Sequence, residues 1–456
     1  MKPVLFTLCG IAPRVARRNV FAVLCLFGAL SACERKAAEA PKATKPLPAR
    51  QEAPGPQPMT RAEAFARARE LGQIGRVMFF DPSLSASGRV SCASCHDPAH
   101  GFSPPNALPI QAGGSDLSRH SFRAAPTLMY RQSTPAFTEH YYESDDEADD
   151  SIDNGPTGGL TWDGRVDRGR AQAAIPLLSP DEMANADAAD VVAKAARAPY
   201  AERLRKVYGS DLFDDPKRAF AALTEALEVF EESPADFYPY SSKYDAFLAG
   251  KTQLSPAEAR GLQIFNDERK GNCANCHRSM PAKDGTPPQF TDFGLIGLGV
   301  PRNRALAQNR DPTFFDLGAC GPLRTDLAGR DEYCGLFKTP TLRNVALRKT
   351  FFHNGSFHDL TEVVRFYAQR NTNPEKWYPR KSDGSVDQFD DLPQKYWKNL
   401  NDEPPFDRKR GERPAMNEAE IRDVVAFLHT LTDGWQADTG RAKGPAATAV
   451  AADRRH

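Results

Sequence analysis

Two stretches of this chain carry residues that can do chemistry together. Ser91-Cys92-Ala93-Ser94-Cys95-His96 reads C-x-x-C-H, and the pattern returns at Cys273-Ala274-Asn275-Cys276-His277. Two thiols at this spacing can bond covalently to the vinyl groups of a haem, and the imidazole that follows can ligate its iron. A lone C-x-x-C could instead be a redox dithiol or half of a zinc site. A His directly after the second Cys, twice in one chain, argues against both. The expectation is two covalently bound haem c groups, held by Cys92, Cys95 and His96 and by Cys273, Cys276 and His277.

The other cysteines concern compartment and covalent framework. Of nine in all, Cys9 and Cys25 lie in a segment expected to be removed, with Cys33 at its end. Cys320 and Cys334 remain, thirteen intervening residues apart. In an oxidising compartment they predict one disulfide, with two buried thiols as the alternative. Lys2, Arg14, Arg17 and Arg18 form a basic start, followed by the apolar run Val20 to Leu30. That run is short for a membrane span and fits a signal-peptide core. It ends Leu30-Ser31-Ala32-Cys33, which resembles a bacterial lipobox. Cys33 would then be the lipidated first residue of the mature chain; ordinary cleavage to a soluble product is the alternative. Either route exports the protein, so the periplasm is expected, with membrane attachment only through an N-terminal lipid anchor. The formal net charge of +0 offers no global field to attract nucleic acid.

The elements that must position these motifs are mainly helical, since strand patterning is sparse. Residues 34–58 lack an apolar period and read as a flexible tether. Thr60-Arg61-Ala62-Glu63 has capping-box spacing and predicts a helix to about Gly72. Ser255-Pro256-Ala257-Glu258 repeats that signal, with Pro at the first helical position. In both places a helix and aromatic residues precede C-x-x-C-H, which predicts two cytochrome c-like domains, residues 59–235 and 241–435. Asp190 to Phe230 carries helical spacing, and Glu232 to Ser242 reads as the linker. Glu418 to Leu431 predicts a closing helix, with Ile421, Val424, Val425 and Leu428 on one face. Two long loop insertions are expected. Glu143 to Asp153 is an acidic run, read as a solvated loop. Residues 371–413 read as a surface excursion with little regular structure. Residues 436–456 are expected to be disordered.

Further residues extend the pattern. Leu71-Gly72, Phe79-Phe80-Asp81-Pro82, Leu84-Ser85 and Ser87-Gly88 precede the first motif, and Ala125-Pro126-Thr127-Leu128 follows it. Trp162-Asp163-Gly164-Arg165, Thr339 to Ala346, Phe352-His353-Asn354-Gly355-Ser356 and Val424 to Leu428 lie further on. With these, the chain resembles the bacterial di-haem cytochrome c peroxidases and their MauG-like relatives over roughly residues 70–435, the two insertions apart. The resemblance implies that Trp162 lies between the haems as an electron relay. It implies that Gln172, Pro176 and Glu182, ten, fourteen and twenty residues beyond Trp162, line the open face of haem 1. There Glu182 would move a proton between the oxygens of a bound peroxide.

Three departures qualify that inheritance. Peroxidases of the family carry a Met fourteen residues after the His of their YFH-type motif; counting from His353 gives Tyr367, as in MauG-like members. A tyrosinate ligand on haem 2 is hard and anionic where Met is soft and neutral, and should favour oxidised iron. No aligned distal His occurs in Gln111 to Ser118, so haem 1 is expected to be open, although His100 and His120 are near in sequence. The positions of the family's inter-haem calcium are Ala124 and Arg348-Lys349-Thr350, which makes calcium doubtful. His353 and Arg343 are expected close to haem 2.

The reading that follows is a peroxidase reducing hydrogen peroxide at haem 1, with oxidising equivalents shared with a Tyr-ligated haem 2. The electron donor would be a small redox protein or a side chain of a protein substrate. The alternatives are MauG-like oxidation of one specific protein and a membrane-tethered di-haem electron carrier without catalysis.

Overall fold

The computed structural model describes residues 59–142 and 154–437. The signal segment, Cys33, the tether, the acidic run 143–153 and the chain after 437 lie outside the described residues. Helix α1 (Arg61–Phe79) opens on Thr60, whose side chain accepts from the Glu63 backbone N–H while Glu63 returns the bond. Beyond the expected end at Gly72 it runs another two turns. Gly72 lies inside the helix rather than at a C-cap, and Gly75 is the crossing residue. A Cβ at Gly75 would sit 1.9 Å from the Ala226 carbonyl oxygen, so only glycine lets the two backbones meet.

After α1 come the short α2 (Cys92–Cys95) and a two-stranded ribbon, β1 (Ala112–Gly113) with β2 (Arg119–His120). Helices α3 (Gly169–Leu178), α4 (Ala188–Ala195), α5 (Ala201–Tyr208) and α6 (Pro216–Glu231) follow. Then come the short α7 (Pro234–Phe237) and α8 (Lys243–Leu248). Helix α9 (Pro256–Asn266) leads into the second motif, and β3 (Leu295–Ile296) pairs with β4 (Phe337–Lys338). Helices α10 (Leu360–Gln369) and α11 (Glu418–His429) complete the order. The fold is mainly helical with little sheet.

One apolar cluster gathers buried residues from Leu71 to Phe237, and another gathers residues from Tyr244 to Leu431. Each is organised by the same device. Helix α1 crosses α6 at Gly75, and α9 crosses α11 at Gly261, where a Cβ would lie 2.0 Å from the Asp423 carbonyl oxygen. The helix leading to each motif is thus seated against a later helix by backbone contact. On α11, Phe427 joins Ile421, Val424 and Leu428 in the buried face, while Val425 is only partly buried. The expected linker is partly core: Phe237 is buried against Phe79, Phe102 and Phe230.

Residues 371–413 are not a surface excursion. Tyr378, Leu392, Tyr396 and Phe406 are buried, and Trp377 packs on Phe357 and Phe366. Irregular backbone is tolerable there because its polar groups find partners. Arg370 donates to the Leu298 and Asn401 carbonyls and Asn371 to the Phe406 carbonyl. The segment has no apolar period because its aromatics, such as Tyr378, Phe389 and Trp397, meet one another across irregular backbone. Cys320 and Cys334 form a disulfide beneath it, within a third cluster containing Leu392 and Tyr396.

Candidate functional site

Two cavities meet at a common wall. The first is lined by Cys92, Cys95 and His96 together with Trp162, Gln172, Pro176 and Glu182. The second is lined by Cys273, Cys276 and His277 with His353 and Tyr367. Trp162, Pro126, Lys338 and Thr339 line both.

Each motif histidine is fixed through one ring nitrogen. His96 Nδ1 lies 3.1 Å from the Phe102 carbonyl oxygen, and His277 Nδ1 lies 2.9 Å from that of Phe290. A carbonyl only accepts, so Nδ1 carries the proton and Nε2 keeps a lone pair for a metal. Burial pushes His96 down to about 4 and lowers His277, which keeps both imidazoles neutral. The four motif thiols are not disulfide-bonded, and burial raises Cys95, Cys273 and Cys276 to about 12.

Helix α3 and the turn after it supply the other wall of the first cavity. Gln172, Ile175 and Pro176 sit at i, i+3 and i+4, on one face. Pro176 has no N–H for the Gln172 carbonyl, which loosens the helix on that side. Glu182 follows in a turn whose backbone oxygen accepts from Gly114 N–H at 2.8 Å. Gly113 permits this approach, since a Cβ there would lie 2.0 Å from the Asp181 carbonyl oxygen. Glu182 Oε2 is buried with no hydrogen-bond partner. Burial raises its carboxyl, and Arg165 only partly offsets this.

Trp162 is held rigidly. Its Nε1 donates to the Ala124 carbonyl at 2.7 Å, and its own carbonyl accepts from Lys338 N–H. The adjacent Asp163 is fully buried and accepts from Arg123 at 2.6 Å and Arg165 at 2.9 Å. Arg123 also forks onto Asp316 with two 2.7 Å bonds. Burial would raise Asp163, but the two guanidiniums override it and hold the carboxyl below its ordinary value. Removing one partner from such a buried network would strand a charge.

In the second cavity Tyr367 lies among Phe352, Phe366 and Phe406. Burial raises its phenol well above the ordinary range, and the two motif thiols add to that. His353 stacks on Phe337 with ring centroids 3.6 Å apart. Arg343, expected beside this centre, does not line the cavity. It is buried, paired with Asp245 at 2.8 Å, and stacked over Tyr130 and Tyr240. His100 pairs with Asp97, His120 is exposed, and neither lines the first cavity. Among the described residues no group of three or more His, Cys, Asp or Glu side chains is gathered as for a metal ion, and no helix is long and apolar enough to cross a membrane.

Sequence reasoning did not single out Lys338, Arg123 or Asp316. Asp163 and Arg165 were visible only as part of a motif. Their shared signal is a charge set in apolar or glycine-rich surroundings, which a single sequence shows poorly.

Two Cys-Cys-His cavities joined by one indole, in a mainly helical chain, define a protein built around two redox centres. Comparison with known proteins agrees. A family model described as di-haem cytochrome c peroxidase matches residues 69–253. The methylamine utilization protein MauG of Paracoccus denitrificans is 33% identical over 376 residues, covering 80% of this chain and 88% of that protein. The cytochrome c551 peroxidase of Nitrosomonas europaea is 28% identical over 307 residues, covering 67% and 75%. The solved diheme peroxidase BthA of Burkholderia thailandensis is 39% identical with a TM-score of 0.71, covering 82% of this chain and 89% of that one. The chain belongs to the di-haem cytochrome c peroxidase family, and is an oxidoreductase of that type. Membership implies two c-type haems. The donor set in each cavity, two thiols and an imidazole with a free Nε2, fits such a group.

Proposed function

We propose that this chain is a periplasm-facing, lipid-anchored di-haem peroxidase of MauG-like type, acting on hydrogen peroxide. Haem 1 is attached through Cys92 and Cys95 with His96 as ligand, in the lobe of residues 59–235. Haem 2 is attached through Cys273 and Cys276 with His277 and Tyr367 as ligands, in the lobe of residues 241–435. When bound, the haem irons supply peroxide binding and one-electron chemistry.

The chain's own residues do the rest. Glu182, as carboxylate, takes a proton from one peroxide oxygen and returns it to the other, so that water leaves. Gln172 and Pro176 shape the space beside it and limit where peroxide can lie. Trp162 spans the wall between the centres and carries electrons across it. The two electrons and two further protons needed to form the second water come from outside, through a small redox protein or a protein substrate. Burial disfavours a free phenolate at Tyr367, so that ligand depends on a metal cation beside it. A tyrosine-to-methionine variant of BthA has been solved, which makes the same exchange at Tyr367 a natural test. Inter-haem calcium is not part of the proposal: Ala124 offers no side-chain oxygen, and its carbonyl already accepts from Trp162.

One observation carries the reading: the buried, unpartnered Oε2 of Glu182 in the cavity that holds the first motif. Leaving such an atom unbonded costs stability, which a site accepts where its chemistry needs the group. An electron carrier with two closed centres has no use for it. The test is peroxide turnover by Glu182→Gln at unchanged haem content; undiminished turnover would remove the proposed role.

A further inference from the structure

Five cations line the two cavities: Arg123, Arg131, Arg165, Lys338 and Arg348. Three have carboxylate partners. Arg123 and Arg165 bind Asp163, and Arg131 binds Glu231. Lys338 and Arg348 have none among the described residues. Lys338 Nζ donates to the Gly159 carbonyl at 2.6 Å. Arg348 donates to the Thr350 carbonyl at 3.2 Å, Ser103 Oγ at 3.1 Å and the Ala125 carbonyl at 3.3 Å. These neutral oxygens satisfy N–H groups without cancelling charge. Both side chains are half-buried, and a cation drawn partly out of water is stabilised by an anion beside it.

Both residues lie where two centres could share them. Lys338 lines both cavities. Arg348 lines the second cavity, bonds to Ser103 and Ala125 from the first lobe, and its charge is felt at His96. Haem carries carboxylate side chains and is the anionic group that the two cavities would hold. We propose that Lys338 and Arg348 form a cationic bridge between the centres, receiving carboxylates of the bound haems and raising the reduction potential of both. Burial pulls Arg348 down to about 10 with no anion opposing it, and burial together with the nearby Arg131 pulls Lys338 down to about 8 against the opposing pull of Asp163. Both directions agree with a charge that lacks its counterpart.

The bridge rests on haem attachment at the two motifs, and the experiment separates the two claims. Holoprotein of wild type, Arg348→Gln, Arg348→Lys and Lys338→Gln is titrated potentiometrically, with haem content measured on each sample. In Arg348→Gln and Lys338→Gln both haems should become harder to reduce. The reduced-to-oxidised ratio at fixed potential should fall about tenfold, or about 59 mV for a one-electron couple. Arg348→Lys, which keeps the charge, should recover most of the shift. A merely structural strap would lower stability and leave the potentials alone. Two haems per chain with potentials unmoved in Arg348→Gln overturn the bridge, as does movement of one haem only. If Arg348→Gln does not accumulate, Lys338→Gln decides on the same criterion. Fewer than two haems in wild type overturns the attachment beneath it.

Discussion

Replacing Glu182 by Gln keeps the side chain's size and removes its ability to take a proton. Positioned acid–base groups contribute about 100-fold to 10,000-fold, or about 2.7–5.4 kcal/mol of barrier. Gln172 and Arg165 remain in the cavity, so binding should survive and the loss should fall on the chemical step. The pH dependence follows from the raised carboxyl, whose main cause is burial. Only the ionised form accepts a proton, so wild-type kcat/KM for peroxide should fall as pH drops through that raised pKa. In Glu182→Gln this acid limb should vanish along with the rate. Stability should move the other way. A carboxyl raised on folding contributes stability below its unfolded pKa and loses it as pH rises through the folded one. At neutral pH wild type carries that penalty and the amide does not, so the Tm of Glu182→Gln should equal or exceed that of wild type. Stopped-flow peroxide consumption, read with haem content and thermal melting, tests all three points. Turnover within about threefold of wild type at equal haem content would refute the assignment.

Other expectations are independent of that one. If Tyr367 ligates haem 2 as proposed, Tyr367→Met exchanges an anionic ligand for a neutral one, and the haem 2 potential should rise by about 59 mV or more in a potentiometric titration. Gly75→Ala and Gly261→Ala place a methyl about 2 Å from a carbonyl oxygen and should each cost at least about 1–3 kcal/mol in urea unfolding. Gly72→Ala in the same helix meets nothing nearer than 3.8 Å and should gain up to about 1 kcal/mol. Replacing Cys320 and Cys334 together by Ala opens a loop with sequence separation 14 and should cost about 3 kcal/mol by denaturant titration under oxidising conditions.

The sequence made some parts of this molecule plain and hid others for physical reasons. Capping boxes at Thr60 and Ser255 are local chemistry, and both helices begin there. The end of α1 was not legible, because Gly75 answers to α6, which lies far along the chain, and Gly72 reads as a stop. Trp162, Gln172, Pro176 and Glu182 could be grouped with the first motif only through family spacing, and they line the same cavity. Nothing periodic in residues 371–413 announces a packed segment, since aromatics that meet across irregular backbone leave no repeat. Arg343 was misplaced because a lone arginine in an apolar run does not name its partner; the partner is Asp245, far upstream. Lys338 and Arg348 are conspicuous only once two cavities share a wall.

Low-temperature EPR of the air-oxidised holoprotein, before any reductant is added, tests the central claim most directly. One high-spin and one low-spin ferric signal are expected. On the proposed reading the high-spin centre would be haem 1, with no second protein ligand, and the low-spin centre haem 2, held by His277 and Tyr367. Two low-spin signals would contradict the account, since both irons would then be closed by protein ligands and the chain would read as an electron carrier or an enzyme that needs prior reduction.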